Sequence, residues 1–280
     1  MLRSRLVRLK LLCVIVVCAV LVNLVNAQDV EPLVIAATED GITLPEAWVS
    51  GMTAITLQND TEIAFQPTLA RFIDGATMED FTAAMMAQDF AGMLATVSAL
   101  GSVTAEPGES ASVTYDLQAG DYLFLNFSPA GPPTLIPFTV MQYEGDAVEA
   151  PEADVEIVMV DFAFAMPVEL TTGDAVWHFT NEGEQTHEIV IFSVDEDATV
   201  EGVTNGVTEA LMSAGPGAPP EFPYEEAFSF IGMSPGENAW MNVNLEPGTY
   251  AALCFIPDVE SEEMTTHLAH GMITIFTVGE

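Results

Sequence analysis

The chain repeats itself, and no other property limits its possible folds so strongly. Pro45, Gly51 and Asn59 recur 122 residues on as Pro167, Gly173 and Asn181, and residues 76–82 recur in looser form as 198–204. Beyond that stretch the spacing is 128, which carries Pro107-Gly108-Glu109 onto Pro235-Gly236-Glu237. The same spacing carries Gly120, Tyr122, Leu125, Phe127 and Pro129 onto Gly248, Tyr250, Leu253, Phe255 and Pro257. The closing Phe138-Thr139-Val140 matches Phe276-Thr277-Val278. Collinear matches at a slowly drifting offset mark a duplication. Its join falls in residues 144–154, an Ala-, Glu- and Asp-rich stretch holding Pro151. The expected division is 28–148 for the first copy and 149–280 for the second.

Each copy reads mainly as short strands. Residues 155–160 alternate, and 175–180, 188–192, 239–243, 248–255 and 272–278 are β-branched or aromatic runs set off by Gly, Pro and Asn. This pattern predicts an all-β sandwich or barrel. One helical insertion is expected per copy. Thr77 with Asp80 three residues on resembles a capping box, and Phe81, Met85 and Leu94 form an apolar face. The second copy's version looks weaker because Gly202 and Gly206 lie inside it. Met78, Met85, Met86 and Met93 stand at helical spacing and are expected in the core rather than on a metal.

Residues 1–27 predict a cleaved signal peptide. Arg3, Arg5, Arg8 and Lys10 precede an apolar run that ends on Ala27, which places the protein in the secreted, periplasmic or cell-surface class. Once this segment is gone, Arg71 is the single basic residue facing 42 Asp and Glu. Nucleic acid and anionic membrane surfaces are therefore excluded as partners by repulsion, and a basic protein is favoured. Cys13 and Cys18 leave with the same segment. Cys254 is then a lone thiol outside the cell, unable to form an internal disulfide.

All four histidines lie in the second copy with that thiol. His187 follows the run Trp177-His178-Phe179-Thr180-Asn181 across a Glu-Gly-Glu-Gln-Thr turn; Cys254 closes Gly-Thr-Tyr-Ala-Ala-Leu-Cys; His267 stands five residues before Met272. Residues 150–280 resemble the cupredoxins, the blue copper proteins. That resemblance implies two tandem Greek-key sandwiches and, in the second, one type 1 copper held by His187, Cys254 and His267, with Met272 as the weak axial ligand. Thiolate, two imidazoles and a thioether suit copper in either oxidation state. His270 is the rival to His267, whose spacing to Met272 fits the family better. The interval from Cys254 to His267 is long for the family, with acidic and polar residues inserted at 259–266. His178 is expected as an ordinary strand residue.

The first copy has Phe65 at the His187 position and Asn126 at the Cys254 position. Pro132 and Thr134 face His270 and Met272. It is expected to hold no metal. Four histidines cannot furnish the trinuclear cluster of a multicopper oxidase, so the expected function is one-electron transfer and not catalysis. The alternatives are a metal-free binding or structural module, and copper storage or delivery.

Overall fold

The computed structural model describes residues 32–73, 75–127, 131–171, 175–215 and 219–279. The expected signal peptide lies outside them. The described chain is built on two packed β-sheets. The first sheet has eight strands, in the spatial order Ala163–Ala165, Val155–Val160, Ala175–Asn181, Asn238–Val243, Ser110–Leu117, Gly51–Asn59, Leu33–Thr38 and Gly41–Thr43. The second has ten, in the order Glu169–Leu170, Ile273–Val278, Gly248–Leu253, His187–Val194, Glu225–Met233, Val97–Ser102, Thr68–Phe72, Gly120–Asn126, Thr134–Met141 and Trp48–Val49. Both orders are palindromes of the repeat. Each strand of the first copy stands as far from the middle of its sheet as its counterpart in the second.

Both sheets run unbroken through the middle. Asn238–Val243 pairs antiparallel with Ser110–Leu117, placing Ala239 opposite Tyr115 and Trp240 opposite Thr114. Glu225–Met233 pairs antiparallel with Val97–Ser102, placing Ile231 opposite Ser102 and Met233 opposite Leu100. The copies thus join edge to edge, and one cluster of buried side chains, from Ile35 to Val278, runs through both. Gly101 shows how close this seam is. It adopts φ +89°, and the Phe230 ring of the other copy fills the space a Cβ would need.

Solvent exposure explains the patterning. Val155–Val160 alternates because only one of its faces meets the core. The first six residues of His187–Val194 are buried on both faces, because the core covers one side and helix Val200–Ser213 the other. The first-copy helix, Met78–Met86, starts on the full reciprocal cap between Thr77 and Asp80. It stops where Gln88 turns to φ 56°, and a short helix, Phe90–Leu94, follows. The second-copy helix is the longer, with 14 residues, despite Gly202 and Gly206. Burial of Val203 and Val207 offsets a cost of ~1 kcal/mol per glycine.

The seam also holds Arg71. Its guanidinium lies 3.8 Å from the Glu237 carboxylate of the other copy, which also accepts a hydrogen bond from Ser98. Burial raises the Glu237 pKa; Ser98 and Arg71 oppose the rise, and Asp116 adds to it. A carboxyl raised above its unfolded value of 4.5 contributes stability that is full below pH 4.5 and is lost as pH climbs through the folded value. Wild type should therefore gain on Glu237→Gln when urea unfolding is moved from neutral pH to pH 4.5. A difference between the two that does not change with pH would show that this carboxyl does not titrate with folding.

Candidate metal centre

The second copy brings three of the expected residues together. One ring nitrogen each from His187 and His267 and the Cys254 sulfur lie within 4.8 Å of one another, and all three residues are fully buried. The two Nδ1 atoms are 3.0 Å apart, and the sulfur is 3.5 Å from Nδ1 of His267.

Each of these residues stands at an element's edge. His187 opens its strand, directly after the turn 182–186. Asn181 ties that turn down: its amide donates to the carbonyls of Gln185 and Met233 at 2.8 Å, and its oxygen accepts from the Gly183 N–H. Gly183 has no side chain because a Cβ there would strike the Asp161 carboxylate and the His187 ring. Cys254 follows the last residue of Gly248–Leu253. His267 begins a 3-10 turn, His267–His270, whose Thr266 cap accepts from the Ala269 N–H.

The long interval between Cys254 and His267 does not separate them. Pro257 and Thr266 bridge in antiparallel fashion, and the Asp258 N–H donates to the Thr265 carbonyl. The Asp258 carboxylate accepts from the Glu260 N–H inside the loop. The inserted residues are therefore pinched off as a closed loop. The chain re-enters beside its point of exit, with the His267 N–H donating to the Ile256 carbonyl and the Leu268 N–H to the Cys254 carbonyl.

Met272 is fully buried; its N–H donates to the His267 carbonyl and its own carbonyl accepts from the Cys254 N–H. Its backbone is thus tied to two members of the group. His270 lies outside the group, with Nε2 2.8 Å from the Thr265 hydroxyl and 3.3 Å from Asp258. His178 stacks on Trp240 with ring centroids 4.2 Å apart and contacts Glu156. In the first copy Phe65 and Asn126 are buried at the equivalent positions.

The outer partners fix what the ring nitrogens can do. Nε2–H of His187 donates to Asp161 at 3.0 Å. Nε2–H of His267 donates to the Gln185 side-chain oxygen at 3.3 Å. That amide is itself oriented, because its nitrogen donates to Asp258 and its oxygen accepts from the Val259 N–H. In neutral imidazoles Nδ1 then carries a lone pair on both rings. Two lone pairs facing each other at 3.0 Å repel unless a cation lies between them. Both nitrogens can stand ~2.0 Å from a common point, the distance of metal–imidazole bonds. The donor set therefore fits a soft or borderline cation.

Electrostatics around the bare group point the same way. Burial lowers the pKa of His187 and takes His267 down to about 4, with His187 adding to the effect on His267. Burial, with the Glu188 charge alongside, pushes the Cys254 thiol up to about 12. Without a cation the group is thus neutral, and a bound cation reverses the penalty on the thiolate. Burial raises Asp161, but the N–H groups of Glu184 and Gln185 and the His187 ring hold it below its usual value, so it stays an anion.

Asp161 and Glu188 carry no motif. Asn181 and Gln185 lie in the run and turn before His187, and Asn181 also pairs with Asn59 in the repeat, but their spacing assigns neither a role. Glu188 is buried next to His187 and accepts from the Phe255 N–H at 2.9 Å, fixing the backbone after Cys254. Asp258 is also buried, so it belongs to the loop's internal bonding and not to the exposed acidic surface.

No family model matches this chain, and no curated protein matches it. Among solved structures it is similar to dithionite-reduced auracyanin from the photosynthetic bacterium Roseiflexus castenholzii. The identity is 26%, over 45% of this chain and 95% of that one, with a TM-score of 0.31. It is similar to auracyanin A, a "blue" copper protein of Chloroflexus aurantiacus, at 16% identity over 44% and 99%, with a TM-score of 0.29. It is similar to a blue copper oxidase of Nitrosomonas europaea at 10% identity over 88% and 85%, with a TM-score of 0.24.

Proposed function

We propose that this protein is an exported electron carrier that binds one copper ion in its second copy, a type 1 site formed by His187, Cys254 and His267 with Met272 axial, and that it catalyses no reaction of its own. What carries this is the convergence of two lone pairs and a thiol on one buried point. Copper bound there supplies a one-electron couple whose intense colour comes from the thiolate. The protein's part is structural. Asp161 and Gln185 hold the two rings in the tautomer that presents Nδ1, which is how outer partners usually serve metal-bound histidines. Full burial of His187, Cys254 and His267 keeps water from the ligand atoms.

Adding copper(II) to the purified chain and recording the visible spectrum tests this directly. The expected result is a strong band that saturates at one equivalent. No stoichiometric uptake would favour the metal-free module; uptake of colourless, reduced copper alone would favour storage or delivery.

Export rests on residues 1–27. Among the described residues no helix is long and apolar enough to cross a membrane. Mass spectrometry should find the mature chain beginning near Gln28. The proposed partner is a basic redox protein, because Glu182, Glu184, Glu260, Glu262 and Glu263 are exposed around the site. Its association rate should fall as salt rises and the Debye length shortens to ~8 Å at physiological ionic strength. A rate unchanged by salt would remove electrostatic steering.

A further inference from the structure

Beneath their helices the two copies differ in a way the metal site does not explain. In the second copy Phe192, Phe222, Tyr224 and Phe255 form an aromatic cluster. Phe222 stacks on Phe255 with centroids 5.5 Å apart, and Phe192 lies 5.1 Å from Phe222. Strand register identifies the first-copy equivalents. Phe192 pairs with Ala251, Ala70 pairs with Leu123, and Leu123 and Ala251 correspond in the repeat, so Ala70 stands where Phe192 does. Phe127 stands where Phe255 does and is 61% exposed.

A cavity of about 260 Å³ opens where the Phe192 ring is missing, lined by Ala70, Phe127 and the apolar residues of the two short helices. Phe90, Met93 and Leu94 face it, and the helix Phe90–Leu94 that carries them has no buried residue. The second copy closes the far wall with Thr186, Ile231 and Ile256. Packing defects inside proteins are rarely larger than a water molecule, and an apolar void of ~150 Å³ is enough to take up benzene.

We propose that this cavity binds a small uncharged aromatic molecule, a single ring of about phenol size that stacks on Phe127 as Phe222 stacks on Phe255. The repeat itself shows what chemistry fills the position. Among the described residues the lining holds no Asp, Glu, Lys, Arg or His, so a charged ligand would enter without a counter-charge. Gln66, Thr68 and Thr186 supply an amide and hydroxyls that suit one phenolic or carbonyl oxygen. The inference goes beyond electron transfer and stands whether or not the protein binds copper.

The test is titration of the full chain with p-cresol, followed by the methyl resonance of Met93, which lines the cavity. A saturable shift is expected. Phe127→Ala, at an exposed position, should weaken binding roughly two- to tenfold through loss of the stacked face. Ala70→Phe, which restores the ring of the second copy, should weaken it by more than tenfold. If Ala70→Phe does not fold, Phe127→Ala alone decides. A Met93 methyl that p-cresol does not move, or an affinity unchanged in Phe127→Ala, overturns the proposal.

Discussion

Cys254→Ser should fold and remain colourless at every copper(II) concentration. The thiol sits at the end of Gly248–Leu253, and its backbone bonds to Leu268 and Met272 do not involve the sulfur. The smaller hydroxyl removes little packing, so the cost in stability should stay near 1 kcal/mol. The spectroscopic effect should be complete, because serine keeps its proton where a cysteine bound to a metal loses it. Visible absorption and circular dichroism on one sample separate the outcomes. A coloured Cys254→Ser protein would place the metal elsewhere. Met272→Leu, at an equally buried position, should retain colour and shift the reduction potential, as loss of a weak axial ligand does.

Asn181→Ala should lose about 3 kcal/mol of stability by urea unfolding. The residue is 1% exposed, and its removal leaves the Gln185 and Met233 carbonyls and the Gly183 N–H short of their partner. Asn59→Ala is the matched control. Its amide donates to the Ile63 and Ala105 carbonyls, and its oxygen accepts from Thr61. The two variants should lose comparable stability. Only Asn181→Ala should also weaken copper uptake, by at least tenfold, because its turn carries Gln185 and leads into His187. Equal uptake by both would mean that the turn does not position the ligands.

Much of this was visible in the chain itself. Strand alternation at Val155–Val160 and the Thr77 cap were legible, because each depends on neighbours in sequence. What was hidden depends on distant contacts. Glu225–Met233 did not read as a strand, since its first three residues are exposed and Gly232 interrupts it. Its place is set by pairing with Val97–Ser102 across the seam. The second helix looked weak by propensity and is strong by burial. The closure of the loop after Asp258 rests on a bridge between Pro257 and Thr266 that no spacing rule reports. Asp161 and Gln185 are unremarkable residue types that gain a role only when folding sets them behind the two rings.

The seam also bears on how such a chain can change over generations. A spare gene copy is ordinarily free to decay or be deleted. Here deletion of the first copy would strip Asn238–Val243 and Glu225–Met233 of their neighbours and leave two bare strand edges, each a template for aggregation. The two kinds of position in that copy are thus under different constraints. Phe65 and Asn126, at the positions matching His187 and Cys254, take no part in the seam, while Ser110–Leu117 and Val97–Ser102 must keep pairing across it. A duplication of this kind predicts a forerunner that was a symmetric dimer of single copies, paired across the same two edges before one chain carried both.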